Sequence, residues 1–439
     1  LTVAHTSIEL VVLLARITVR TCGGSLDEGT QKIRRYSMNN PALCIDVSKS
    51  SSFATGFLSY NKPHSKPFDF PHTPEGMKSA LHCLKELQTD TSSKPDVVLE
   101  ATGNFYKPVT QYFTNLGYSV YVLKPLQTSM EKRKSIRKIK TDPVDTYRIA
   151  QVYYTNNLKP FKEQSYDVQE LRSLCRQWDG FNALNTETQL RFRSILTLVF
   201  PKYDTVFDHL CNPTSLRVIA SFPSPEAVLS AKQEELFNLM KLSRHSNDWC
   251  NQKVDMLIAA ARESLSYVGA QQSNIRILQS YVKSLLIHKE ILSDIRAQIN
   301  EWTRLSPDFY LLLSIPGVGE VTAATILGEI GDISNFGSAK QLVAYAGLDP
   351  SVYQSGNFRA KNTKISKRGT PYLRKALFQA ASAAVRKRPN GPCNSALYEY
   401  YINKINAGKP PKVALVATCS KLLRIIFGML NTKTEFRAK

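Results

Sequence analysis

The sequence predicts an α/β domain, then a long helical arm, then a mainly α C-terminal domain. Three observations lead there. Short apolar runs alternate with helical periods from Ala42 to Tyr153, the chain from about Leu158 to Phe309 reads as nearly all helix, and helical segments punctuated by Gly and Pro continue beyond it. With 439 residues, 43% hydrophobic and 10% aromatic, the chain is long enough for two or three domains with real cores.

Residues 1–37 do not read as part of the fold. The chain begins at Leu1 and Met38 lies just before the first convincing strand, so the segment before Met38 is expected to be a non-native or disordered extension. The domain expected over 38–157 opens with Ala42 to Val47, a buried strand carrying Asp46 near its end. Phe53 to Tyr60 reads as a second strand and Lys66 to Phe70 as a short third. Thr73-Pro74-Glu75 is a helix start, and Met77, Leu81, Leu84 and Leu87 carry the helix onward. Asp96 to Glu100 is another buried strand ending in an acid. A helix from about Phe105 to Leu116, a strand from Ser119 to Leu123, a basic loop over 124–140 and a last helix complete the domain. The order β-β-(β)-α-β-α-β-α, with acids on the first strand, on a later strand and on the last helix, is that of an RNase H-like (RuvC-like) nuclease core.

The acids carry the chemistry. Lys140-Thr141-Asp142-Pro143-Val144-Asp145 puts two carboxylates three residues apart at a helix start, with Pro143 suited to the first helical position. An isolated pair of this kind is most simply a capping device, favoured by the helix dipole. Asp46 and Glu100 change the balance, because four carboxylates converging from strands and a helix cannot all be caps. They need a counter-charge, for which a divalent cation is the usual choice.

Over 158–309, Leu278, Leu285, Leu292 and Ile299 repeat every seven residues, with Tyr281, His288, Ile295 and Trp302 between them. That pattern predicts a coiled-coil or antiparallel helical arm suited to self-association, with His288 as a satisfied seam residue. The domain over 310–439 opens on Ile315-Pro316-Gly317-Val318-Gly319. This resembles the hairpin of helix-hairpin-helix DNA-binding elements, where Gly317 and Gly319 let backbone N–H groups approach a phosphate, although a plain tight turn fits it equally well. An Ala-rich helix from Thr370 to Val385 and one or two more helices follow.

Lys and Arg number 57 against 36 Asp and Glu, a net +21, and the excess is clustered. Residues 359–388 carry Arg359, Lys361, Lys364, Lys367, Arg368, Arg374, Lys375, Arg386, Lys387 and Arg388 and no acid. Residues 124–140 include Lys132, Arg133, Lys138 and Lys140 against Glu131 alone. Two such blocks favour a polyanion, and so nucleic acid, as the partner. The eight cysteines have no CxxC spacing and no histidine at zinc-site spacing, so buried thiols in a reducing compartment are expected and a zinc site is not. No apolar run suggests a membrane span.

At this point the chain resembles, along nearly all of residues 40–430, the prokaryotic insertion-sequence transposases with a DEDD RuvC-like N-terminal domain and a serine-bearing C-terminal domain, whose relatives include DNA invertases of pilin genes. The resemblance rests on Ile45-Asp46-Val47-Ser48-Lys49, Glu100-Ala101-Thr102-Gly103, Lys140-Thr141-Asp142 with Asp145, Ile315-Pro316-Gly317-Val318-Gly319, Gly347-Leu348-x-Pro350 with Ser355-Gly356, and Lys367-Arg368-Gly369 with Leu373-Arg374. Lys124-Pro125 stands where the family often has Asn-Pro, and the segment before Met38 has no counterpart.

The resemblance implies that Asp46, Glu100, Asp142 and Asp145 hold Mg²⁺ or Mn²⁺, and that Ser355 attacks a DNA phosphodiester to leave a covalent phosphoserine link. By itself Ser355 would read as a turn residue. The resemblance further implies double-stranded donor and target DNA as substrates and a structured non-coding guide RNA as partner. It implies a homodimer or homotetramer in which one subunit's serine completes another's metal site, and a cytoplasmic, nucleoid-associated location. Two other readings stand beside it: a junction-resolving nuclease in which the same acids activate water, and a non-catalytic nucleic-acid-binding scaffold.

Overall fold

The computed structural model describes residues 40–134, 142–242, 244–267, 269, 271–350, 354–355, 358–359 and 364–438, with the backbone alone for 132–134, Asp142 and the two short pieces between 354 and 359. The expected extension over 1–37 lies outside the described residues, as do Lys138, Lys140 and Lys361. The chain divides into two compact units, one ending at Glu163 and the other beginning at Gln164.

The first unit is built on a mixed sheet. Its strands are β1 (Ala42–Val47), β2 (Ser51–Ser59), β3 (Lys62–Pro63), β4 (Phe68–Pro71), β5 (Asp96–Glu100) and β6 (Val120–Leu123). They run in the order β3-β2-β1-β5-β6, with β4 also on β2; β1 pairs β2 antiparallel and β5 parallel, and β5 pairs β6 parallel. Both faces of the centre are covered, which is why β1 is apolar at successive positions. Leu43, Ile45 and Val47 pack with Ala80, Leu84 and Leu87 of helix α1 (Pro74–Thr91), whereas Ala42 and Cys44 pack on the other face with Ile149, Val152 and Tyr153. Thr73 caps α1 by accepting from the Gly76 N–H at 3.1 Å. After β5 comes α2 (Tyr106–Asn115), and after β6 come α3 (Pro125–Lys134) and α4 (Asp142–Thr155).

Two expectations need correction here. The short third strand expected over Lys66 to Phe70 is β4, which starts two residues later, and a further two-residue strand, β3, precedes it. The loop expected from residue 124 is helix as far as Lys134, because Pro125 supplies a pre-set first helical residue and Gln127 Oε1 accepts from the Lys124 N–H at 2.9 Å. Lys, Arg, Gln and Met, which fill this segment, are good helix formers.

The second unit is almost entirely helical. Long helices α5 (Tyr166–Val199) and α10 (Gln271–Thr303) pair antiparallel: Leu171 and Cys175 share a core with Ile295 and Ile299, and Phe192 and Leu196 share another with Leu278, Val282 and Leu285. Between them α6 (Pro213–Ser221), α7 (Pro225–Ser230), α8 (Gln233–Lys241) and α9 (Asn247–Glu263) complete the distal core. Val282 takes the buried place beside Leu278 and Leu285, while Tyr281 is half-buried and Trp302 is exposed. His288 is half-buried, and its Nδ1 has no hydrogen-bond partner among the described residues, contrary to the satisfied seam histidine expected.

The proximal core gathers α11 (Pro307–Leu313), α12 (Glu320–Ile330), α13 (Ala339–Tyr345), α14 (Pro371–Ala384), α15 (Ser395–Asn406) and α16 (Pro411–Thr432) around the base of the α5–α10 pair. Gly328 of α12 lets α5 approach closely, since a Cβ there would lie 3.1 Å from the Arg172 backbone. Helix α16 amends the reading of the apolar runs. It is long and apolar enough to cross a membrane by length and composition, yet Leu422, Leu423 and Ile426 are wholly buried in the proximal core, as expected for a central core helix.

Candidate functional site

Strand parity decides where the acids of the first unit point. Cys44 faces α4 and Ile45 faces α1, so Asp46 falls on the α4 face; on β5, Val98 faces α4 and Leu99 faces α1, so Glu100 falls on that face too. Parallel pairing sets Ile45 against Leu99, which brings Asp46 and Glu100 to neighbouring positions at the C-terminal ends of adjacent strands. Both are half-buried, Asp46 just inside its strand and Glu100 closing β5. Asp142 begins α4, the helix that covers this face, and Asp145 lies in its first turn. Thr146 Oγ1 bonds Thr55 Oγ1 of β2 at 2.8 Å and so ties the start of α4 to the sheet.

Asp145 is 8% exposed, and its Oδ1 accepts from Nη1 of Arg148, itself buried, at 2.5 Å. Sequence reasoning missed Arg148. An Asp three residues before an Arg on one helix face was the available signal, and it reads equally well as an ordinary surface pair. Hard oxygen donors at two strand ends and one helix start are a donor set suited to Mg²⁺ or Mn²⁺. Arg148 neutralises part of the charge of Asp145.

In the second unit Ser355 lies in a two-residue strand, β7 (Gln354–Ser355), paired antiparallel with β8 (Phe358–Arg359), so that Ser355 stands opposite Phe358 and Gln354 opposite Arg359. The stem below this hairpin is built in detail. Pro350 bridges Ile365, and Ser366 Oγ donates to Asp349 Oδ1 at 2.5 Å. Gly347 has φ +67, and a Cβ there would meet the Gly369 nitrogen at 2.7 Å, so the two arms of the stem touch backbone to backbone. Arg374 Nη1 donates to the carbonyls of Ala346 (3.0 Å) and Gly369 (2.8 Å), which places its guanidinium within the stem. Burial pushes the Arg374 pKa below its usual value. Beneath the stem Glu329, 1% exposed, accepts from Arg176 Nε at 2.6 Å, from Arg176 Nη2 at 3.0 Å and from Thr370 Oγ1 at 2.7 Å. Neither Glu329 nor Arg176 stood out in the sequence, since they lie 153 residues apart.

Of the cations expected to meet nucleic acid, Lys364, Lys367 and Arg368 are exposed on the descending arm of the stem, and Lys367 takes φ +53. Arg386, Lys387 and Arg388 are exposed just after α14. Lys375 instead bonds Asp179 of α5. In the turn between α11 and α12, Gly317 has φ +103 and its missing Cβ leaves room for the Ala384 backbone, 2.7 Å from where that atom would stand. Gly319, at the N-cap of α12, faces open space.

A mixed sheet of this order with carboxylates at neighbouring parallel strand ends is compatible with an RNase H-like domain. Known proteins sharpen that class. The family model described as "Transposase", a DEDD type, matches residues 43–201, and the model described as "Transposase IS116/IS110/IS902 family" matches residues 310–399. The chain belongs to this IS110/IS116 family of insertion-sequence transposases.

Similar proteins include an insertion element IS110 uncharacterized 43.6 kDa protein of Streptomyces coelicolor, 26% identical over 68% of this chain and 73% of that protein. The transposase for insertion sequence element IS1111A of Coxiella burnetii is 30% identical over 39% of this chain and 46% of its own. The pilin gene-inverting protein of Moraxella bovis is 36% identical over 29% and 38%.

Proposed function

We propose that the protein is a DNA transposase that cuts and rejoins strands through Ser355, with Asp46, Glu100, Asp142 and Asp145 holding Mg²⁺ or Mn²⁺. The observation that carries this reading is the placement of Asp46 and Glu100 on one sheet face at adjacent strand ends, in a chain matched by both family models. Bound divalent ions would supply charge neutralisation for a phosphoryl group in transfer. Ser355 would form a bond from Oγ to phosphorus as the bond to the departing deoxyribose oxygen breaks, its proton passing to a base. A protein–DNA ester keeps the bond energy, so the hydroxyl of an exchanged strand reseals the DNA by the reverse attack.

The exposed cations Lys364, Lys367 and Arg368, Arg359 on β8, and Lys132, Arg133, Lys138 and Lys140 on and after α3 would hold phosphates of donor and target DNA, and of a structured guide RNA, without reading sequence. Gly319, with open space at a helix N-cap, suits a phosphate contact of helix-hairpin-helix type better than Gly317 does. The α5–α10 pair would serve as a coiled-coil arm for a dimer or tetramer, bringing one subunit's serine to another's carboxylates.

The test is to incubate the protein with Mg²⁺, the transcript flanking its gene and junction DNA, then to look on a denaturing gel for DNA attached to protein. An adduct lost in Ser355→Ala and in Asp46→Ala is expected. Cleavage without an adduct, unchanged in Ser355→Ala, would move the protein to the water-using nucleases.

A further inference from the structure

On the sheet face opposite the acids, β3 and α1 bring together three groups that the cysteine spacing gave no sign of. His64 follows β3, and Cys83 and Glu86 lie one turn apart on α1. The nearest His nitrogen, Cys Sγ and Glu carboxylate oxygen all lie within 4.8 Å of one another. Among the described residues this is the one such group of His, Cys, Asp and Glu. Gly56 of β2 makes the room, since a Cβ there would stand 3.0 Å from Cys83 Sγ. The backbone holds His64 in place through its N–H, which donates to the Gly56 carbonyl at 2.8 Å.

The histidine is oriented as a ligand would be. His64 Nε2 bonds Asp90 Oδ2 at 2.8 Å, while Nδ1 is buried and has no hydrogen-bond partner among the described residues. A carboxylate on one ring nitrogen puts the proton there and leaves the lone pair on the other, the usual outer support of a metal-bound imidazole. An orphaned buried nitrogen costs free energy unless something engages it. Cys83 is 4% exposed, and Glu86 reaches solvent with its side chain 49% exposed. Cys83 and Glu86 face a groove of about 460 Å³ that Ser65, Lys78, Ser79 and His82 also line.

We propose that His64 Nδ1, Cys83 Sγ and Glu86 bind a borderline-soft divalent transition metal, with Zn²⁺ as the best fit. Nitrogen, sulfur and oxygen donors together suit zinc and disfavour Mg²⁺, which keeps this site chemically distinct from the carboxylates across the sheet. Donors on tetrahedral zinc stand about 3.5 Å apart, so the three draw together from their present spacing when the metal binds. Three protein donors leave the fourth position to water from the groove. The metal clamps the β3–β4 connection onto α1.

Binding displaces a proton, because zinc takes the Cys83 sulfur as thiolate and a thiol is protonated at neutral pH. Apparent affinity therefore rises about tenfold per pH unit through neutral pH for that one proton.

The full-length protein, held in excess Mg²⁺ to occupy oxygen-only sites, is titrated with Zn²⁺ against a chromogenic chelator and then loaded with Co²⁺. One zinc per chain is expected, with a near-ultraviolet sulfur-to-cobalt band that Cys83→Ser abolishes. Glu86→Gln and Asp90→Asn alter exposed side chains and leave folding intact; each is expected to weaken zinc tenfold or more. Absence of a bound zinc, a cobalt form without the sulfur band, or a band that persists in Cys83→Ser would overturn the proposal. Unchanged affinity in both Glu86→Gln and Asp90→Asn would do so even if Cys83→Ser failed to fold. No readout involves DNA, so this site stands or falls separately from the serine chemistry.

Discussion

Replacing Glu329 by Ala tests the stem that carries Ser355. The carboxylate is almost wholly buried and accepts three hydrogen bonds, two from Arg176 and one from Thr370, the N-cap residue of α14. Breaking a buried ion pair costs about 3–5 kcal/mol when the survivor stays buried. The Arg176 side chain is 41% exposed and rests 4.7 Å above the Tyr372 ring, so water rehydrates part of it and the lower end applies, about 3 kcal/mol. For a unit of this size each kcal/mol lowers the melting temperature by about 2–4 °C, giving a fall of about 6–12 °C. Differential scanning calorimetry of the second unit's transition reads this directly. A pair worth its surroundings can be replaced by apolar groups, so Glu329→Leu with Arg176→Met is expected to recover more than half of the loss. A fall below about 2 °C in Glu329→Ala, or a double variant no better than the single one, would refute the argument that this buried pair supports the stem.

Other expectations follow from the same geometry. Asp46→Asn and Glu100→Gln each remove one carboxylate at a strand end and little packing; DNA cleavage should disappear in a gel assay while DNA binding in a filter assay stays within about threefold. Lys367→Ala with Arg368→Ala removes two exposed cations, and the slope of log affinity against log salt should flatten by about two; an unchanged slope would leave them a solvated face. Burial raises the pKa of Asp96 against the opposing hydrogen bonds from Tyr153 and Asn40. A raised folded-state pKa means the native chain takes up this proton before the unfolded chain does. Wild type should therefore gain stability relative to Asp96→Asn as pH falls through the folded value and lose it as pH rises. Urea unfolding of the pair at pH 4, 5 and 7 checks the sign.

Much of the first unit was legible because its signals are local. Ala42 to Val47 and Asp96 to Glu100 are strands with the expected ends, and Thr73-Pro74 starts its helix as capping chemistry requires. The α5–α10 hairpin was legible in outline from the leucine period, but the period could not distinguish Val282 from Tyr281 as the buried neighbour, since that choice depends on where the partner helix lies. Helix α3 was missed because charge is a poor guide to backbone state.

By itself the sequence determined where the carboxylates, cations and serines lie along the chain, much of the order of strands and helices around them, and the motifs that mark the family. Only the tertiary structure decided which groups meet. Strand parity and parallel register set Asp46 beside Glu100, and a turn of α4 gave Asp145 to Arg148. Two helices meeting at Gly328 buried Glu329 against Arg176, and the space left by Gly56 set Cys83 beside His64. Apart from Asp145 and Arg148, neighbours on one helix face, these contacts join groups whose spacing along the chain carries no information about distance, because the sheet and the helix pairs close the gap between them.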